Sequence, residues 1–429
     1  MLARNPEFRR LLLASVVSMI GDWFSFVAIT DLVTELTGRP GTAAFFYAAS
    51  VLPVFLVSPL AGAIVDRRDR RSTLIWADLA RVPLALLLCV AAWQGNVALA
   101  AIGVIGLGIG SAFFDPGSSA ATPNLVDPAD LSAAQSLMGL MWGSMLVVGA
   151  GLGGLVSDLL GRYVAFSVNA ASFLLSAWLL AGIRRPMQEA REARDAGGGE
   201  SWNAFREAWR YIKSDRAVRS LVFAKVGVSS ANGLVGLLPV FARTTSTSGL
   251  ATGLLFAMRG FGALVGPLLA GRVMRKRPTS QRGDRALRGI VLACGISTMS
   301  YAAFYAVMPV TPWFLPMLLL VCCAHLGGGT QWTVSTFGLQ SLTPDRLRGR
   351  VLSLDYGLAT LAIGMSALVA GFLADGYGVR AATWILTGAA ALYGIAWLVW
   401  TRPLWRREGA AGGSASASSP ALSTTEPSL

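Results

Sequence analysis

Several ionisable side chains stand inside long apolar runs of this chain, where burying charge is costly and each one needs a reason. Asp22, Asp31 and Glu35 fall in the first run, Asp78 and Arg81 in the third, and Lys225, Arg259 and His325 in later ones. A carboxylate removed from water can take up and release a proton, and a cation brought close can decide when it does so. Asp22 lies eleven residues beyond Leu11, about 16 Å along a helix at ~1.5 Å per residue, and therefore near the middle of its run. Asp31 and Glu35 share a face near the far end of the same helix, and Asp31 points away from the Asp22 side. Asp22 is thus the leading candidate proton carrier, with Asp31 and Glu35 behind it. Asp78 and Arg81, three residues apart, can pair along one face as a structural ion pair. Lys225 and Arg259 have no carboxylate at helical spacing. They must face a wet cavity or find a partner elsewhere, Asp22 and Asp355 being the nearest types available. His325 could exchange a proton or serve as a hydrogen-bonded packing residue. Trp23, Phe26, Trp142 and Trp332 are the aromatic candidates for a cavity lining, together with Lys225 and Arg259.

The elements that position these groups follow from composition. Of 429 residues, 54% are hydrophobic and 14% charged, against about 25% charge in an ordinary soluble chain. At roughly 20 apolar residues per crossing, the length supplies about a dozen membrane crossings with short loops. A soluble enzyme, a disordered chain and a single-anchor receptor are excluded. Apolar runs bounded by charge, Pro or Gly predict twelve helices at 11–36, 42–65, 72–93, 97–115, 132–157, 163–183, 218–242, 250–273, 287–308, 314–338, 351–375 and 381–400. The first lacks a small-residue cleavage site and is read as a retained helix rather than a signal peptide.

Net charge is +13, and its placement decides its meaning. With the N-terminus inside, 29 of the 36 Lys and Arg residues fall in cytoplasmic segments, four in outer loops and three within spans. Alternate loops are rich and poor in positive charge, as the positive-inside rule requires. The basic balance is topology rather than nucleic-acid binding, and both termini are expected in the cytoplasm. The four cysteines lie in apolar runs and a single histidine is present, so neither a disulfide framework nor a metal site is expected.

Residues 184–217 form the one long internal polar stretch and divide the spans six and six. The expected organisation is an N-terminal six-helix bundle (1–183), a cytoplasmic linker (184–217), a C-terminal six-helix bundle (218–402) and a disordered cytoplasmic tail (403–429). Within the linker, Trp202, Phe205, Trp209 and Ile212 recur at helical spacing and predict an amphipathic helix on the inner membrane surface. An internal repeat supports the division. Spans two, five, eight and eleven each end on a glycine followed four residues later by a charge: Gly62 with Asp66, Gly154 with Asp158, Gly271 with Arg275 and Gly371 with Asp375. One such feature per three spans, facing alternate sides, is the pattern of inverted three-helix units nested in two halves.

Phosphate-binding and hydrolytic motifs are missing. None of the three lysines ends a Gly-Lys-[Ser/Thr] loop, and there is neither G-x-S-x-G nor H-E-x-x-H, which excludes nucleotide-driven pumping of that kind and these hydrolytic chemistries. A secondary transporter that draws on an ion gradient, with no cofactor, is the remaining reading. A lipid flippase, a siderophore exporter or a non-transporting membrane regulator are the alternatives.

The segment Gly62-Ala63-Ile64-Val65-Asp66-Arg67-Arg68-Asp69-Arg70-Arg71 resembles the loop signature G-x-L-a-D-r-x-G-r-[RK] of the major facilitator superfamily, with Asp69 standing where the second glycine is expected. Asn5-Pro6-Glu7-Phe8-Arg9, Gly21-Asp22, Phe113-Phe114-Asp115-Pro116, Pro123-Asn124-Leu125-Val126 and Arg348-Gly349-Arg350-Val351 are similar to its drug-efflux branch of macrolide-efflux and enterobactin-exporter proteins. The resemblance implies an all-α membrane protein of twelve helices and a multi-pass location in the bacterial cytoplasmic (inner) membrane. It implies export of lipophilic small molecules against protons, with membrane lipids as surroundings and a monomer as the unit. It assigns Gly62, Asp66, Arg67, Arg70 and Arg71 to gating. In span five, Gly149, Gly151, Gly153 and Gly154 permit close helix packing, and Ala150 stands where the family's antiporter signature has proline. Gly262-x-x-x-Gly266-Pro267 in span eight is their expected counterpart.

Overall fold

The computed structural model describes residues 2, 4–188, 198–246, 248–275 and 282–406, and the expected tail beyond Arg406 lies outside them. The side chains of Asp66, Trp202 and residues 270–286 are likewise outside, which leaves the Gly271–Arg275 copy of the repeat without a structural counterpart here.

Chain punctuation sets the helix ends. Asn5 caps α1 (Pro6–Thr37) by accepting from the Phe8 N–H at 3.1 Å, and Pro6 occupies the first helical position, where a missing N–H costs nothing. Gly38 at φ 60° ends α1, and α2 (Pro40–Arg67) follows directly. Asp69, the departure from the loop signature, accepts from the Ser72 N–H at 2.8 Å and so caps α3 (Arg70–Gln94), a role glycine fills less well. Then come α4 (Val97–Leu125), α5 (Leu131–Leu159) and α6 (Arg162–Ala181).

Residues 198–214 form α7 (Gly198–Ser214), with Ala208 and Ile212 buried against the protein and Phe205 and Trp209 turned outward. Beyond it, the single span expected at 218–242 is interrupted. α8 (Arg216–Ser229) gives way to a 3-10 segment, Asn232–Leu237, before α9 (Leu238–Thr245). The Ser229-Ser230-Ala231-Asn232-Gly233 cluster is the breaker, and Gly233 is fixed there because the Ser366 backbone occupies the space of any side chain. α10 (Gly249–Arg275), α11 (Arg282–Val307) and α12 (Phe314–Leu342) complete the sequence up to α13 (Asp345–Trp400). This long element contains one non-helical residue, Gly378 at φ 85°, where the sequence predicts separate spans, and a short α14 (Arg402–Trp405) follows.

Among the described residues, eleven helices are long and apolar enough to cross a membrane. Large apolar side chains such as Trp93, Trp178 and Phe372 point outward at 70–77% exposure, an arrangement that lipid solvates and water does not. The helices pack in two groups. α1 lies on α5 and α6, α3 on α4 and α6, and α2 on α4, while α10 and α11 lie on α12 and α13 lies on α8 and α11. Two seams join the groups, α5 with α10 and α2 with α13.

Candidate functional site

A cavity of about 300 Å³ is lined by α1 to α5 of the first group and by Arg259 of α10 from the second, at the lower end of the size that takes small molecules. Gly21 sets the rotation of α1. A side chain there would collide with Asn169 and Ser172 of α6, and Asn169 Nδ2 donates to Ser25 Oγ at 2.9 Å. With that face held to α6, Asp22, Trp23 and Phe26 face the cavity. The α5 glycines seat the same helix from the other side, since a Cβ on Gly149 would meet the Trp23 ring at 3.0 Å and one on Gly153 the Phe24 backbone at 3.0 Å. Gly154 instead meets Gly253 of α10, while Gly151 has only ordinary contact with Ala257. Gly262 and Gly266 differ from expectation. They face carbonyls of α12, and Gly253 and Gly260 are the α10 glycines that meet α5, with Pro267 about two turns beyond Gly260.

Arg81 is the centre of the charge in this group. Its Nη2 pairs with Asp78 Oδ1, as the spacing predicts, and its Nη1 lies 3.4 Å from Asp22 Oδ2. The guanidinium stacks on Phe173 at 4.2 Å and Phe114 at 4.9 Å and is 1% exposed, whereas the Asp22 side chain keeps 33% exposure toward the cavity. Arg81 is therefore shared between a sealed carboxylate and an accessible one, and it stands nearer to Asp22 than sequence spacing suggested for any cation. Asp115, one of the resemblance residues but not a predicted site residue, also lines the cavity. The sequence reading ended that span at residue 115. In the structure α4 continues through Pro116 to Leu125, which places Asp115 about 15 Å inside. An intramembrane carboxylate was the signal available.

Across the cavity stands Arg259 of α10, within electrostatic reach of Tyr47, Tyr301, Tyr305 and His325. Tyr47 Oη donates to Asn232 Oδ1 at 2.8 Å and Asn232 Nδ2 to Tyr301 Oη at 3.3 Å, so the interrupted segment ties α2 to α11. His325 is 4% exposed and hydrogen-bonds Tyr305 Oη at 3.1 Å, in keeping with the packing reading. Trp142 lines the cavity as expected. Lys225 and Trp332 do not. Lys225 pairs with Asp355, donates to Thr336 Oγ1 at 2.9 Å and sits 4.9 Å from the Trp332 ring, which packs edge-on against Tyr356.

The two ends of the bundle differ. At the charge-poor end, Asp31 binds Arg243 at 2.9 Å across the seam and Glu35 binds Arg162 at 2.6 Å, so both carboxylates are spent away from the cavity. There too the repeat becomes legible. Asp158 accepts from the Gly249 N–H at 3.1 Å at the start of α10, and Asp375 accepts from the Gly41 N–H at 2.7 Å at the start of α2. Each carboxylate caps a helix of the opposite group, where orphan N–H groups and the helix dipole favour an anion. Gly154 against Gly253 and Gly371 against Gly41 provide the backbone approach beside each cap. At the charge-rich end, a Cβ on Gly62 would meet nothing within 4 Å. Arg70 donates to Ala120 O at 3.0 Å and Met187 O at 3.2 Å, Arg71 donates to Ala181 O, and Arg67 is exposed. Those contacts all stay within the first group.

Comparison with known proteins agrees with this architecture. The structure of a point mutant of the nucleoside transporter NupG superposes with a TM-score of 0.74 at 10% identity, covering 92% of this chain and 99% of that one. The multidrug efflux pump Tap of Mycolicibacterium fortuitum is 28% identical over 90% of this chain and 93% of its own length. The MFS-type transporter YkuC of Bacillus subtilis is 25% identical over 64% of this chain, and the match spans 66% of that protein. A family model described as transmembrane secretion effector matches residues 2–424. Membership is of transporters rather than enzymes: the chain belongs to the transmembrane secretion effector family of the major facilitator superfamily.

Proposed function

We propose that the protein is a proton-coupled exporter of lipophilic small molecules, working by alternating access in the bacterial inner membrane. The observation that carries this reading is the accessible Asp22 carboxylate on the cavity wall, 3.4 Å from a guanidinium that it shares with a sealed carboxylate. In this account a proton arriving on Asp22 neutralises it, and Arg81 relaxes onto Asp78 alone. Loss of the proton restores the bridge to Asp22. Arg81 rather than Arg259 is then the cation that governs the exchange. Alternating access needs two ends that open in turn. The cross-group caps by Asp158 and Asp375 and the Asp31–Arg243 pair keep the charge-poor end shut, which supports reading this conformation as open toward the cytoplasm. The charge asymmetry supports cytoplasmic termini, and counting α13 as two helices across Gly378 gives twelve crossings in two six-helix bundles. The Asp66 loop would then close the charge-rich end in the opposite state. Tap, similar across nearly its whole length, is named as a multidrug efflux pump, and this supports export as the direction.

The test is transport by purified protein in proteoliposomes under an imposed proton gradient. A panel of aromatic drugs including ethidium is compared with a fluorescent phospholipid. The expected result is accumulation of at least one drug against its gradient, abolished by a protonophore. Translocation of the phospholipid with no drug movement would replace the reading with that of a flippase.

A further inference from the structure

Three sets of charge occupy the interior: one is balanced, and in a second a single cation is shared by two carboxylates. Lys225 and Asp355, each 2% exposed, neutralise one another. Asp78 is bound to Arg81, and Asp22 draws on the same guanidinium. The third set lines the cavity itself: Asp115 on α4 and Arg259 on α10. The Asp115 carboxylate has no ion pair or hydrogen bond among the described residues, although the field of Arg81 reaches it. Arg259 is in the same position, and its Nε is buried without a partner. Asp115 is exposed to the cavity and Arg259 is half-buried beside it, so a ligand that pairs with both gains more than one that pairs with either. Between them the wall is aromatic. Trp23 meets Phe26 edge-on at 5.6 Å, the buried Phe256 backs Phe26 at 5.3 Å, and Trp142 lines the same cavity, so Trp23, Phe26 and Trp142 offer surfaces that receive a planar apolar body.

We propose that the cavity selects amphoteric aromatic molecules, whose cationic nitrogen is held by Asp115 and whose anionic oxygen is held by Arg259, leaving Asp22 to the proton. The proposal rests on the reading of this cavity as the transport site. A purely cationic ligand would leave Arg259 unpaired, and a purely anionic one would leave Asp115 unpaired beside it. A site built to bind a charged group rejects the analogue that lacks it far more strongly than an apolar pocket rejects a change in size. Substrate and proton then occupy different carboxylates, so binding of one need not expel the other.

The experiment measures binding to the full-length protein in lipid nanodiscs, with ciprofloxacin as probe because it joins one amine and one carboxylate on a planar fluorescent ring system. Its methyl ester, its N-acetyl derivative and the doubly blocked compound supply the cationic, anionic and neutral forms. The parent is expected to bind at least tenfold more tightly than each of the other three. Arg259→Met should erase the preference over the methyl ester while keeping that over the N-acetyl compound, and Asp115→Asn should do the reverse. Arg259→Lys, which keeps the charge, should retain the wild-type order and guards against a folding defect in the methionine variant. The proposal is overturned if the wild type binds the methyl ester as tightly as the parent, if none of the four binds, or if Arg259→Met weakens all four alike. Failure of proton-driven accumulation with the charge preference intact would overturn the transport reading and leave the assignment of Asp115 and Arg259 standing.

Discussion

The first helical group and the second each bury charge in the membrane interior, and they do so to different ends. In the second group Lys225 and Asp355 form a closed pair, with Thr336 and the Trp332 ring taking up the rest of the ammonium. In the first group Asp22 and Asp78 share the Arg81 guanidinium, Asp115 lies within its field without pairing, and Asp22 and Asp115 open onto a cavity. A matched pair sealed from water holds helices in place, because removing either partner strands the other. An unmatched set has charge to spare and can respond to a proton or a ligand. Burial of charge in this protein is therefore not by itself what marks the proposed site; imbalance beside a cavity is.

The largest effect should come from breaking the matched pair. Lys225→Met leaves Asp355 buried and unpaired and should cost about 3–5 kcal/mol of stability, seen as a lowered Tm in detergent. Adding Asp355→Leu should recover most of the loss. If the double variant is as unstable as the single one, the pair is not the closed unit described. A smaller effect, of about tenfold in turnover or some 1.4 kcal/mol, is expected for Asp66→Ala, with the protein folded and inserted as before. Unchanged transport by that variant would reduce the loop to a topology signal. The smallest effect belongs to the caps. Asp158→Ala and Asp375→Ala should each weaken closure of the charge-poor end by about 1 kcal/mol. Spin-label distances between α5 and α10 at that end should broaden toward longer values. A distribution that does not move in the double variant would show that the glycine contacts alone hold the seam.

Much of this was legible in the chain. Apolar runs located nearly every helix, the Asp78–Arg81 spacing foretold its ion pair, and the Gly-x-x-x-Asp repeat of spans five and eleven turned out to mark two equivalent caps. What escaped was contact at long sequence separation. Nothing local says that Arg81 reaches Asp22, fifty-nine residues away, or which of the two courses open to Lys225, a wet cavity or a carboxylate such as Asp355, is taken. Local rules also misled where tertiary packing overruled them. Pro116 read as a helix end, yet α4 passes through it and carries Asp115 into the interior. The Ser-Ser-Ala-Asn-Gly cluster after α8 was a breaker signal hidden inside an apolar run, and its 3-10 turn depends on the close approach of Ser366.

Proton coupling through Asp22 is best tested by transport of the Asp22→Asn variant in proteoliposomes supplied only with a proton gradient. The substitution keeps the side chain's shape and removes its exchangeable charge. Accumulation against a gradient should be lost while exchange of substrate down its own gradient continues. If this variant still concentrates substrate on the proton gradient alone, Asp22 is not the coupling group and the mechanism proposed for the cavity fails.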